Sequence, residues 1–97
     1  MKSGIYKVTN KCNNKSYIGH SENVYNRLKE LKKENLSSTT YLSQEITQYG
    51  IENFNFKILE LCYPSLLNNK QKYYIEKYNT IYPYGYNKTK GGNGNYK

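Results

Sequence analysis

A chain of 97 residues fits one hydrophobic core rather than two, and at 36% hydrophobic content that core leans on thirteen tyrosines, whose rings bury apolar area while their hydroxyls stay hydrogen-bonded. Fifteen Lys and Arg against seven Glu, with no Asp, give a formal charge of +8, a field that draws polyanions and puts nucleic acid first among partners. No apolar run of about 20 residues, no signal-peptide pattern and no broad Lys-faced amphipathic segment occurs, so a soluble, cytoplasmic, unexported protein with no membrane partner is expected.

The first element in chain order is a β-hairpin. GIYKVT (residues 4–9) and KSYIG (15–19) are short runs of β-branched and aromatic residues, and NKCNN (10–14) between them suits a tight turn. With residues 11 and 12 at its centre, positions summing to 23 lie opposite each other and Tyr6 faces Tyr17. A turn at Asn13-Asn14 would shift that register. Helix one follows in HSENVYNRLKELKK, with Ser21 as N-cap, Glu22 in the first turn and an apolar stripe of Val24, Leu28 and Leu31. Arg27 borders the stripe.

The polar loop ENLSST (34–39) leads to helix two, TYLSQEITQYG, with Leu42, Ile46 and Tyr49 on one face and Gly50 as its stop. NFNFKILELC alternates Phe54, Phe56 and Ile58 against Asn55 and Lys57, then turns apolar on both sides, as a strand entering a covered sheet would. After Pro64, helix three runs through SLLNNKQKYYIEKYN, with Ser65 as cap and a core stripe of Leu67, Gln71, Tyr74, Ile75 and Tyr78. The expected fold is α+β, in the order β-β-α-α-β-α, with a small, mainly antiparallel three-stranded sheet flanked by helices. One domain over 1–92 and a mobile tail over 93–97 complete the organisation.

Few groups are available for chemistry. Arg27 is the sole arginine and His20 the sole histidine, while Cys12 and Cys62, far apart and without a CxxC pair, read as reduced thiols rather than a zinc site or disulfide. Phosphodiester hydrolysis would need a base for the attacking water, positive charge at the phosphate and help for the leaving oxygen. A phenol with its pKa lowered by cations, the planar donors of Arg27 and a carboxylate-held divalent metal could supply these. A strand tyrosine more often packs than catalyses, however, and the Lys and Tyr mixture from residue 70 onward is chiefly core plus solvated face, although lysines between aromatics can also track a phosphate backbone and stack bases. Composition and spacing alone support a nucleic-acid-binding domain.

GIY then YIG on a hairpin, an arginine eight residues later on the next helix, YGIENFNFKILE, and YYIEKYN followed by GYN together resemble the GIY-YIG nuclease domain of intron homing endonucleases, some restriction enzymes and a nucleotide-excision-repair nuclease. The likeness runs from about residue 3 to residue 92. It implies that Tyr6 is the base or water-positioning group, Tyr17 its supporting hydroxyl, Arg27 the phosphate ligand and Asn87 a residue that steadies the site. It also implies a site-shaping role for Gly19, Mg²⁺ or Mn²⁺ as cofactor, and DNA as partner with target choice left to a separate DNA-binding domain or partner protein; Gly4 is taken as a second site-shaping position, and Lys15 and His20, the latter more often exposed than catalytic, as candidate substrate-binding residues.

Two positions depart from the family. Its metal-binding glutamate is here Gln71, which keeps an oxygen and loses the charge. A charge pair about 4 Å apart is worth roughly 4 kcal/mol at an effective dielectric near 20, enough to lower ion occupancy about a thousandfold. Glu76 points about 140° away around the helix and cannot substitute. Leu31 occupies a position where the family often carries His or Tyr. Two readings follow: a DNA endonuclease hydrolysing phosphodiesters with a divalent metal, slowed or silenced at Gln71, and a module that binds DNA without cutting. RNA as substrate is a third and weaker option.

Overall fold

In a computed structural model that describes residues 2–33 and 41–90, β1 (Gly4–Asn10) lies at the centre of an antiparallel sheet, with β2 (Ser16–Ser21) on one side and β3 (Phe54–Leu61) on the other. The loop expected at 34–39 and the tail expected at 93–97 lie outside these residues. Helices α1 (Val24–Lys32), α2 (Tyr41–Tyr49) and α3 (Leu67–Tyr78) complete the expected order. Short 3-10 turns at Ile51–Asn53 and Pro64–Leu66 precede β3 and α3. Among the described residues no helix is long and apolar enough to cross a membrane.

The period-2 alternation of β1 builds two cores. Tyr6 and Val8 point to one face, where they pack with Phe54, Phe56, the α1 stripe Val24, Leu28 and Leu31, and Leu42 and Ile46 of α2. Ile5 points to the other face and joins Ile18, Leu67 and Ile75 beneath α3. The helical stripes read from sequence are therefore the buried faces, except that Tyr78 is 40% exposed at the end of α3. β3 is an edge strand covered on both faces, with Phe56 and Ile58 against one core and Leu59 against the other, until its end, where Leu61 is 43% exposed.

The hairpin register differs from the symmetric expectation by two residues. Tyr6 pairs with Gly19, and Tyr17 with Val8. The cause is a four-residue connection, residues 11–14, closed by the Asn10 N–H donating to the Lys15 carbonyl at 2.9 Å. The Asn10 and Asn13 side chains accept from the Cys12 and Lys15 N–H groups, and Asn14 adopts the left-handed conformation that Asn tolerates, φ 64°.

The caps also shift. α1 is capped by Asn23, whose side chain accepts from the Asn26 N–H, so Ser21 belongs to β2 and Glu22 precedes the helix. Ser65 lies within the 3-10 turn and α3 has no side-chain cap. Gly50, at φ 92°, ends α2 as expected, its N–H donating to Ile46 at 2.9 Å.

α3 is tied to β3 by Glu60, which accepts from the Tyr74 hydroxyl at 2.8 Å and pairs with Lys70 at 3.1 Å. The bond to Glu60, with burial second, pushes the Tyr74 phenol up to about 12. A phenol raised in the folded state stabilises the fold fully below its unfolded pKa of about 10, and that contribution is lost as pH rises toward the folded value. Spectrophotometric titration of the tyrosines should include a component near pH 12 from Tyr74, and Glu60→Gln should move that component toward the ordinary value. A titration indifferent to Glu60→Gln would refute the assignment.

Candidate active site

The hairpin and α1 bring Tyr6, Tyr17 and Arg27 together on the α1 side of the sheet. The two rings are diagonal neighbours, with centroids 6.1 Å apart and planes at 46°. The Arg27 guanidinium and the Tyr17 hydroxyl both lie close enough to the Tyr6 hydroxyl to favour its anion. Gly19, directly across from Tyr6, makes this possible: an added Cβ would stand 2.3 Å from Tyr6 Cζ, 2.4 Å from its hydroxyl and 2.8 Å from Tyr17 Cε2. Gly4 answers to a different need. The sheet bulges between Ile5 and Tyr6, and a Cβ on Gly4 would lie 2.5 Å from the Glu60 carbonyl oxygen, so its smallness serves strand pairing.

Access differs among the three groups. Tyr6 is 2% exposed, whereas the Arg27 side chain is 45% exposed and reaches Glu30 at 3.5 Å, an ion pair open enough to water to contribute little. Burial raises the Tyr6 phenol pKa and outweighs the opposing pull of Arg27 and Tyr17. The expectation of a phenol lowered by cations is thus reversed, because loss of water costs the phenolate more than one half-exposed guanidinium returns. For Arg27, burial pulls the pKa down, but Tyr6, Tyr17 and Glu30 together carry it up, so the guanidinium stays charged.

Gln71, Asn87 and His20 meet at the outer edge of β2. The Asn87 side chain accepts from the Ile18 N–H at 2.8 Å and donates to the Ile18 carbonyl at 2.9 Å, while accepting the Thr80 hydroxyl at 2.8 Å. Gln71 Nε2 donates to the same Ile18 carbonyl at 3.0 Å. That contact fixes the amide's orientation, so its Oε1 receives the bond from His20 Nδ1 at 2.6 Å, and the proton is assigned to Nδ1. Both ends of the buried amide are engaged. His20 is half-buried against α3, on the face of β2 opposite Gly19, and is not a free substrate-binding side chain. Lys15 lies just past the hairpin turn, four residues and about 13 Å of strand from Gly19.

These residues do not fit a divalent metal. The position expected to hold it is a neutral amide with both polar atoms in use, and among the described residues no cluster of three His, Cys, Asp or Glu is arranged around an ion. Leu31, 4% exposed, is core. Tyr86, noted in the sequence only as the middle residue of GYN, is 2% exposed, and its hydroxyl accepts from Asn10 at 3.0 Å and Asn13 at 3.2 Å and donates to Glu45 at 3.1 Å. These partners are 76, 73 and 41 residues away in sequence, beyond any local pattern.

The GIY-YIG catalytic domain family model matches residues 2–87. Two solved structures share the fold and about a third of the sequence. A point mutant of the catalytic domain of intron endonuclease I-TevI is 31% identical at TM-score 0.75, covering 97% of this chain and 100% of that one. A structure titled as the catalytic domain of homing endonuclease I-TevI is 32% identical at TM-score 0.67, covering 91% and 99%. A Neurospora crassa protein named "Probable intron-encoded endonuclease 1" is 42% identical over 59 residues, 61% of this chain and 19% of that protein. The chain thus spans about a fifth of that curated relative's length.

Gln71 and Asn87 share one acceptor, which gives their pairing a measurable signature. Either amide alone still satisfies the Ile18 carbonyl, so the Gln71→Ala/Asn87→Ala double variant should lose more stability than the two singles added, by about 0.5–3 kcal/mol in urea denaturation. Simple additivity would show that the two side chains do not act on the same group.

Proposed function

The chain belongs to the GIY-YIG catalytic domain family, and on that premise we propose that it acts on DNA phosphodiesters as the nuclease domain of a homing-type endonuclease. The observation that carries this reading is the cluster of Arg27, Tyr6 and Tyr17, with its cation half-exposed and its phenols behind, in a chain of charge +8. Such a chain concentrates a polyanion at its surface, and one planar guanidinium can meet two phosphate oxygens at once.

In this reading Arg27 binds the non-bridging oxygens of the phosphate and offsets the charge that grows there as water attacks phosphorus and the sugar oxygen leaves. Tyr17, less buried than Tyr6, adds a hydroxyl beside it. Tyr6 stays protonated at neutral pH and orients Arg27 from behind rather than acting as a phenolate base. No step runs through a divalent ion, because Gln71 and its neighbours do not fit one.

The fully engaged amide of Gln71 and the buried Leu31 favour a second reading, in which the same cluster grips the phosphate without cutting it. Nicking of supercoiled plasmid, with Mg²⁺ and with EDTA, separates the two. Under the nuclease reading, Arg27→Ala should slow nicking about 100-fold or more while the fold persists. Plasmid bound and left intact by the unsubstituted chain would select the second reading.

The pH profile is a further check. With the Tyr6 phenol above its ordinary range, any nicking rate should show no rising limb between about pH 6 and 9 that Tyr6→Phe removes. Such a limb would make Tyr6 a base after all.

A further inference from the structure

On the sheet face opposite Arg27, Lys7 and Lys57 have no carboxylate partner among the described residues, and beside them the half-exposed Tyr78 ring stacks on Tyr74. Lys7 points away from Tyr6 and Val8, and on β3 it stands directly opposite Lys57. Like charges facing each other across a strand pair destabilise a sheet. α3 packs on this side and brings Tyr74, Tyr78 and Lys77 to it, while Tyr73, five residues from Tyr78 and about 140° away around the helix, stands on the outer face of α3 with Lys77 between the two. Lys7 Nζ lies 4.2 Å from the Tyr78 ring centroid, and Lys77 Nζ lies 5.7, 5.8 and 5.9 Å from Tyr78, Tyr73 and Tyr74. Tyr73 is 54% exposed and Tyr78 40%.

We propose that Lys7, Lys57, Lys77, Tyr73 and Tyr78 form a binding surface for a single strand of nucleic acid, with its phosphates on the ammonium groups and its bases on the exposed rings. Charge complementarity selects a polyanion, since facing lysines without carboxylates gain most from a closely spaced line of negative charges. The rings select unpaired bases: a base outside a duplex has a free face to stack on a tyrosine, whereas paired bases are already stacked on one another. An acidic peptide would satisfy the lysines and leave the rings unused. The surface lies across the sheet from Arg27, so it is distinct from the candidate active site and does not depend on whether the chain cuts DNA.

Fluorescence anisotropy with a labelled oligothymidylate, and with a duplex of the same length, tests this in the intact chain. Tyr73→Ala/Tyr78→Ala should weaken single-strand binding by about tenfold or more per ring and duplex binding far less. Lys7→Gln/Lys57→Gln should reduce the slope of log affinity against log salt for the single strand by about 1.4, two phosphates' share. Circular dichroism checks that both variants keep the fold. Single-strand affinity unchanged in both would overturn the proposal, as would equal losses for strand and duplex. Competition by polyglutamate as effective as by unlabelled oligothymidylate would assign the surface to an acidic protein instead and also overturn it.

Discussion

The arrangement rests on how the outer edge of β2 is satisfied. An edge strand turns alternate N–H and C=O groups away from its sheet, and left open they would cost desolvation or recruit another strand. At Ile18 both groups are taken by side-chain amides, Asn87 on the N–H and Asn87 with Gln71 on the carbonyl. Thus α3 and the segment after it are pinned to the strand that carries Tyr17 and Gly19, the residues flanking Ile18. The contact also explains the chemistry of residue 71. A carboxylate there would set an acceptor 3.0 Å from the Ile18 carbonyl oxygen, whereas an amide donates to it and still accepts from His20. Gln71 is therefore a self-consistent strut in this molecule rather than a ligand that has merely lost its charge.

On the other side of the same strand, the outcome turns on which electrostatic effect is larger. Tyr6 is almost wholly removed from water, which raises the cost of its anion, and Arg27 is half solvated, which dilutes what its charge can return. Burial wins. The phenol is thereby better suited to holding a guanidinium in place than to taking protons, and the exposed chemistry falls to Arg27 and Tyr17.

The parts of the fold legible in the sequence are those with a period. Val24, Leu28 and Leu31 marked the buried side of α1, and Phe54 and Phe56 marked one face of β3, because burial repeats at the helical and strand spacings. The grouping of Tyr6, Tyr17 and Arg27 could be read from the hairpin and the next helix because those elements are adjacent in the chain. What escaped were contacts without a period. The caps moved because several side chains near the start of α1 can accept a backbone N–H, and only geometry selects Asn23 over Ser21. The bonds from Gln71 and Asn87 to Ile18 and from Asn10 to Tyr86 join residues 53, 69 and 76 apart, and nothing local announces them.

The two-residue difference in hairpin register decides more than its size suggests. A slip of one residue would exchange the faces of β2, bringing Ile18 to the α1 side and Tyr17 to the α3 side. A slip of two keeps the faces and changes the partners. In the symmetric register Tyr6 would confront Tyr17 across the strands, and Gly19 would face Gly4, where its missing side chain would serve nothing. In the observed one the bare Cα of Gly19 lies opposite Tyr6, the phenol occupies the space a Cβ would fill, and Tyr17 sits one diagonal step away. The four-residue turn with left-handed Asn14 sets that register, so a polar loop at one end of the hairpin fixes where the Tyr6 hydroxyl meets Arg27 at the other.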